Sequence, residues 1–316
     1  SNTVSVLLNT TAPGATSPSF AAQQSFAVGS YPRSVTAADV NGDGKPDLIV
    51  ANTNNTVSVL LNQVTPGATA LTSASFAAQQ SFTAAGGNAI FSVTTADVNG
   101  DGKPDVITAC GDGFSVLLNA TAPGATSPSF PAHVDLGTGG GIGVSVTTAD
   151  VNGDGKPDLI AADGTGANLV SVRLNTTAPG ATNPSLGNFA VNFATGGDPD
   201  GVTAADVNGD GKPDLIVANL SDNTVSVLLN TTAPGATSPS FATQQTFATG
   251  NFPYSVTAAD VNGDGKADLI VANDNSNTVS VLLDTQYTAT VSPASVTGTI
   301  HNAVGGDIIF QDGFDG

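Results

Sequence analysis

Five times along the chain, three aspartates, an asparagine and a lysine return at one spacing. The first copy, DVNGDGKPD, sets Asp39, Asn41, Asp43, Lys45 and Asp47 at positions 1, 3, 5, 7 and 9. The second holds Asp97, Asn99, Asp101, Lys103 and Asp105, and the third Asp150, Asn152, Asp154, Lys156 and Asp158. The fourth holds Asp206, Asn208, Asp210, Lys212 and Asp214, and the fifth Asp260, Asn262, Asp264, Lys266 and Asp268. Alternate positions of a tight loop point inward together, and position 7 adds its backbone carbonyl. That makes a set of hard oxygens, the donors Ca2+ takes in groups of about 6 to 8 at roughly 2.3–2.6 Å. The chemistry read from these residues is calcium binding, one ion per loop and about five in all.

Two glycines per loop, Gly42 and Gly44 in the first, permit the left-handed turns that wrap the chain. The spacing matches the start of an EF-hand loop, but position 12 is Val50 rather than Glu and no helical pattern flanks it. Asp47 and its counterparts are therefore expected to close the set. Ala267 replaces proline in the fifth copy and alters no ligand. The alternative is a plain NGDG hairpin turn. It accounts for Asn and Gly, but not for three aspartates within nine residues, whose repulsion costs stability without a cation.

Charge follows the loops. The chain has 316 residues, 26 acidic against 7 basic, and a formal charge of -19. Every acid is Asp, and all five lysines lie in the loops, leaving Arg33 and Arg173 outside them. Five divalent ions would bring the charge to -9. Nucleic acid and anionic membranes are excluded as partners, because both need clustered Lys and Arg. No apolar run reaches the ~20 residues that span a bilayer, so membrane insertion is not expected. Cys110 is alone, reads as a buried, inert thiol, and stands where the first repeat has Asn52. The opening SNTVSV has no leader-like pattern, so any secretion signal is expected to have been removed or to lie upstream.

The loops need strands to hold them. SVTAADV (34–40) enters the first loop and PDLIVAN (46–52) leaves it; NTVSVLLN (55–62) follows, then a PGAT connection, then SFAAQQSFTA (75–84). Four β-rich runs bounded by turn signals predict a four-stranded antiparallel sheet. With no helical period, the chain reads as all-β: a β-propeller of five or six such blades, with a β-solenoid as the alternative. Residues 1–29 supply strands that complete a blade, 30–284 the five repeats, and 285–316 a divergent tail. Three closures are open. The tail completes the fifth blade and pairs with residues 1–29 as a sixth; or residues 19–29 complete the fifth blade; or a neighbouring molecule donates strands.

The DVNGDGKPD loops within this four-strand unit resemble the FG-GAP (VCBS-type) repeats of integrin α-subunit propellers and of secreted bacterial propellers. The resemblance covers about 30–284. It implies a propeller fold, calcium in the loops and an extracellular or cell-surface setting, in a family that includes adhesins, lectins and non-catalytic parts of enzymes.

In such a blade the loops share a face with the NTTAPGATSPS segments. The opposite face carries the most variable connections: GSYPR (29–33), GGNAIF (86–91), TGGGIGV (138–144), TGGDPDG (195–201) and TGNFPYS (249–255). Tyr31, Arg33, Phe91, Asp198, Asp200, Phe252 and Tyr254 are the candidate partner contacts there, suited to a glycan or protein surface. The alternative is loop drift, with the aromatics packing on blade edges. The sequons at Asn9, Asn54, Asn119, Asn175, Asn219 and Asn230 are expected to be chance matches, without glycosylation.

Only His133 and His301 could serve as a nucleophile's base, with no nucleophile elbow and no paired Glu, so no enzyme is expected. The reading is a secreted, calcium-binding recognition module for adhesion to glycan or protein. The alternative is a structural subunit that joins copies of itself into a filament by strand exchange. A calcium-dependent enzyme ranks third.

Overall fold

A computed structural model describes residues 1–86, 89–111, 113–137, 142–164, 166–187, 190–284 and 295–299. The chain divides into two compact units, Ser1–Leu136 with Thr177–Ser185, and Gly137–Thr176 with Leu186–Gly316. Among the described residues every regular element is a strand.

In the first unit, β1 (Thr3–Val6) and β2 (Gln24–Ala27) form a two-stranded sheet. Then β3 (Pro32–Ala38), β4 (Asp47–Asn52), β5 (Thr56–Leu60) and β6 (Gln80–Thr83) form a four-stranded one. The next sheet contains β7 (Ile90–Ala96), β8 (Asp105–Cys110), β9 (Gly113–Leu117) and β10 (His133–Gly137). The second unit holds three more. They are β11 (Ile142–Ala149) to β14 (Val191–Ala194) through β12 (Asp158–Gly164) and β13 (Leu169–Arg173); β15 (Pro199–Ala205) to β18 (Gln245–Ala248) through β16 (Asp214–Asn219) and β17 (Thr224–Leu228); and β19 (Pro253–Ala259) to β22 (Ser295–Thr299) through β20 (Asp268–Asn273) and β21 (Thr278–Leu282). Each is an up-and-down antiparallel blade of the β-propeller type. In the fifth, the outer strand β22 comes from the tail and pairs Val296 with Val281. The rest of the tail, His301 included, lies outside the described residues, as do 87–88 and 138–141 of the variable connections.

The second and third strands of a blade read as continuous apolar runs because both faces are covered. Ile49, Ala51, Val57 and Val59 of the first blade pack against Ile90, Val93 and Val106 of the next, all buried. In the second unit, Ile216, Ala218 and Val225 pack likewise on Val256 and Val271. Outer strands are shorter than the 75–84 pattern predicts. Strand geometry begins only at Gln80, because Phe76 is held by a single bridge to Asn62 and turns its ring edge-on to Phe26, centroids 5.0 Å apart. The ring pairs Phe82–Phe130 and Phe193–Phe241 repeat that contact, each contributing about 0.5–1.5 kcal/mol beyond burial.

Candidate metal centre and the turn face

Each aspartate-rich loop is the turn between the first and second strands of a blade. In the first, Asp39 accepts the amides of Asp43 (3.0 Å) and Gly44 (2.7 Å), one on each oxygen, and Asp43 accepts that of Lys45 (3.0 Å). Gly42 and Gly44 take φ of 64° and 83°, the left-handed region that their lack of a side chain allows. Asp97, Asp150, Asp206 and Asp260 strap their loops the same way. The carboxylate of position 1 thus shapes the loop from within.

Position 9 has a role the sequence did not disclose. Asp47 is fully buried, and its oxygens accept the amides of Val40 (2.9 Å) and Asn62 (2.7 Å), so it ties the loop to the exit of the third strand. Asp105, Asp158, Asp214 and Asp268 repeat the tie. A carboxylate has about four lone-pair sites, so two amide bonds leave each oxygen able to meet a cation.

Burial, opposed by these amide bonds and assisted by the neighbouring aspartates, raises the carboxyl pKa of Asp47 and Asp214 above the usual range. The same causes push Asp105 and Asp158 up to about 6. Burial first, and the neighbouring aspartates second, thus disfavour the ionised form at the loop base, and a cation would relieve both. Among the described residues, no three His, Cys, Asp or Glu side chains are gathered as a metal cluster. The fit to calcium rests on donor chemistry: hard carboxylate, amide and carbonyl oxygens on a loop already curled by its first aspartate.

Position 3 reaches further. The Asn41 side-chain amide donates to Ala125 O (3.0 Å) while the Asn41 backbone carbonyl accepts from Gly124 N (2.6 Å), gripping the PGAT connection of the following blade. Asn99 grips Gly180 and Ala181, and Asn152 grips Gly235 and Ala236. Asn119 and Asn230 answer from the other side, donating to Val40 O and Val151 O at 2.9 Å. The expected sharing of a face is here direct hydrogen bonding. In the last two loops Asn208 and Asn262 turn instead onto Asp210 and Asp264 of their own loops. The sequon asparagines Asn119, Asn175, Asn219 and Asn230 are buried, which closes them to glycosylation, whereas Asn9 and Asn54 are exposed.

At the variable connections, the candidates fall on two equivalent positions. Tyr31, Asp198 and Phe252 hold φ of 55°, 49° and 58°, and each donates its amide to an asparagine side chain of the preceding repeat: Asn2, Asn168 and Asn223. Two residues on, the pairing of first and second strands slips at Arg33, Phe91, Asp200 and Tyr254. Such bulges re-aim a side chain out of the strand's alternation. Tyr31 is 76% exposed, Phe252 43% and Tyr254 47%; Arg33 is exposed too. Phe91 and Asp200 are half-buried, and Asp198 accepts the Ser221 hydroxyl.

Elsewhere, His133 lies 3.6 Å from Asp135. Cys110 is buried at the strand position held by Asn52, Asn219 and Asn273. Arg173, the second basic residue outside the loops, is buried and donates to the carbonyls of Leu186, Gly187 and Gly137.

The model of the FG-GAP-like repeat matches residues 1–50, 39–108 and 206–271, and that of the FG-GAP repeat matches 142–172. The chain belongs to the FG-GAP-like repeat family. Among curated proteins, none matches it. Solved structures share its fold at low identity. A putative 6-phosphogluconolactonase from Bacteroides fragilis is 13% identical with a TM-score of 0.58, over 90% of this chain and 74% of that one. A chain of the Polycomb Repressive Complex 2 of Chaetomium thermophilum bound to GSK126 is 11% identical, TM-score 0.51, over 83% and 53%. A lectin from Agrocybe aegerita, described for specific recognition of non-reducing terminal N-acetylglucosamine, is 20% identical, TM-score 0.47, over 79% and 63%. This FG-GAP-type chain thus spans under two thirds of the lectin and Polycomb chains.

Proposed function

We propose that this protein is a secreted, calcium-stiffened, non-catalytic recognition module that meets a glycan or protein at the turns and bulges where its blades begin. One observation carries the reading: Tyr31 and Phe252, bulky aromatics, sit exposed in a left-handed conformation. Gly, Asn and Asp take that conformation at far lower cost, and strained, exposed side chains concentrate where a ligand is met. Arg33 and Tyr254, aimed outward by the bulges, add polar and aromatic contacts. Calcium would be held by the position 1, 3, 5 and 9 side chains and the position 7 carbonyl of each loop, and would neutralise their crowded charge. No helix among the described residues is long and apolar enough to cross a membrane.

The test is binding to arrays of glycans and of extracellular proteins in millimolar calcium, with Tyr31→Ala and Tyr254→Ala alongside. Loss of at least about tenfold in affinity supports the reading. Unchanged binding by the double variant sinks it.

A second reading, filament formation by strand exchange, is favoured by Val35. It is 52% exposed, whereas its counterparts Val93, Val146, Val202 and Val256 are 5–7% exposed. Light scattering across a concentration series separates the two: growth that Val35→Asp abolishes means assembly, and a monomer throughout means recognition.

A further inference from the structure

Within the first unit, an open cleft of about 370 Å3 lies between the second loop and the connection at 180–184. That is the small end of the roughly 300–1,000 Å3 typical of small-molecule sites. One substitution distinguishes it from the same place one blade earlier. One blade earlier, Gln80 on β6 donates to Ser127 Oγ at 3.1 Å and bridges the corresponding gap. The repeat alignment puts Val134 in the place of Gln80 and Asn183 in that of Ser127. Valine has no polar atom with which to make that bridge.

The walls are chemically mixed: Leu118, Pro131 and Val134 line the cleft with carbon, and Asp101, Lys103 and Asn183 line it with polar groups. Lys45 pairs with Asp43 at 3.8 Å and Lys212 donates to Thr232 O at 3.0 Å. Neither the Lys103 ammonium nor the Asn183 amide makes a corresponding bond among the described residues. Apolar walls beside two unengaged donors, with the Asp101 carboxylate as acceptor, match a pyranose ring, whose C–H face stacks on carbon and whose hydroxyls need donors and acceptors together.

We infer that this cleft takes one pyranose residue, its C–H face on Val134 and Pro131 and its hydroxyls on Asn183, Lys103 and Asp101. The inference rests on the glycan branch of the reading above and adds to it a second sugar contact, on the loop side of the first unit.

The test is saturation-transfer difference NMR on the full chain in millimolar calcium. The probes are the methyl glycosides of glucose, galactose, mannose, N-acetylglucosamine and glucuronic acid, each at about 10 mM, where millimolar affinity registers. Val134→Gln restores the bridging side chain and is expected to cut the signal at least about tenfold, with a melting temperature within about 2 °C of the parent. Lys103→Ala reports on the same cleft if that variant is poorly folded. Tyr31→Ala with Tyr254→Ala, which removes the turn-face contacts, should leave the part of the signal that Val134→Gln abolishes. A signal that survives both cleft variants, or falls only in the tyrosine variants, overturns the cleft while the turn-face reading stands. No signal from any glycoside overturns the cleft and the glycan branch together, leaving the protein branch to the array.

Discussion

The side-chain amide of Asn41 donates to the backbone carbonyl of Ala125, 84 positions along the chain. The residue that offers an oxygen to the first loop also holds the next blade in place. Loop shape and blade packing therefore depend on one side chain.

That double duty separates the loops by experiment. Asn99→Ala breaks the grip on Ala181 as well as the bonds within its loop, whereas Asn208→Ala touches only its own loop. The first should cost about 1–3 kcal/mol, the range for leaving a buried partner unsatisfied, and the second under about 1 kcal/mol. Thermal melts of both variants, with and without calcium, check the ordering. Equal losses in metal-free buffer would contradict it.

Calcium removal should destabilise the fold. Each loop saturated at about 100 times its Kd contributes about 2.7 kcal/mol through mass action. Metal analysis should return about five ions per chain, one for each loop. An Asp97→Ala variant should lose one ion and keep the rest. A melting temperature indifferent to chelator would refute the calcium reading.

The metal-free protein should show an inverted pH response. The carboxyls of Asp105 and Asp158 rise from 3.8 to about 6 on folding, so the folded state binds more protons between those values. Their contribution is fullest below the unfolded value and is lost as pH rises to about 6. Melts in metal-free buffer should fall across that window, and Asp105→Asn with Asp158→Asn should flatten the fall. With calcium bound, the ionised form is the one held, and stability should rise with pH instead.

Tyr31 and Phe252 should behave oppositely in stability and in binding. Asn adopts left-handed backbone more readily than an aromatic does, a conformation costing roughly 1–2 kcal/mol for ordinary residues. Tyr31→Asn with Phe252→Asn is therefore expected to hold or raise the melting temperature while weakening partner binding at least about tenfold. Loss of stability in the double variant would mean the aromatics are packing residues.

Much of this was legible in the sequence, and the parts that were not share a cause. The five-fold return of DVNGDGKPD and the alternation of Val57, Val59 and Leu61 are local patterns, and they predicted the strands and placed the loops at their turns. The grip of Asn41 on Ala125 joins residues distant in sequence, and no local period marks it. Asp47 reads as a plain fourth carboxylate, and only folding reveals that two backbone amides meet it inside the blade. The bulge at Arg33, Phe91, Asp200 and Tyr254 was hidden for another reason. These side chains differ, and what they share is a slip in strand register. The buried sequons had a faint signal, since Asn119 and Asn230 each follow two leucines of an apolar strand.

The grip between a loop and the following connection also bears on how such an array changes length. Its donor lies in one repeat and its acceptor in the next. A segment copied at the repeat period therefore arrives with a matching half at both borders, and old neighbours meet new ones through the same asparagine and PGAT pair. Insertion or loss of a whole repeat among the first three loops leaves the seams there chemically intact, so blade number is free to drift while that joint is kept.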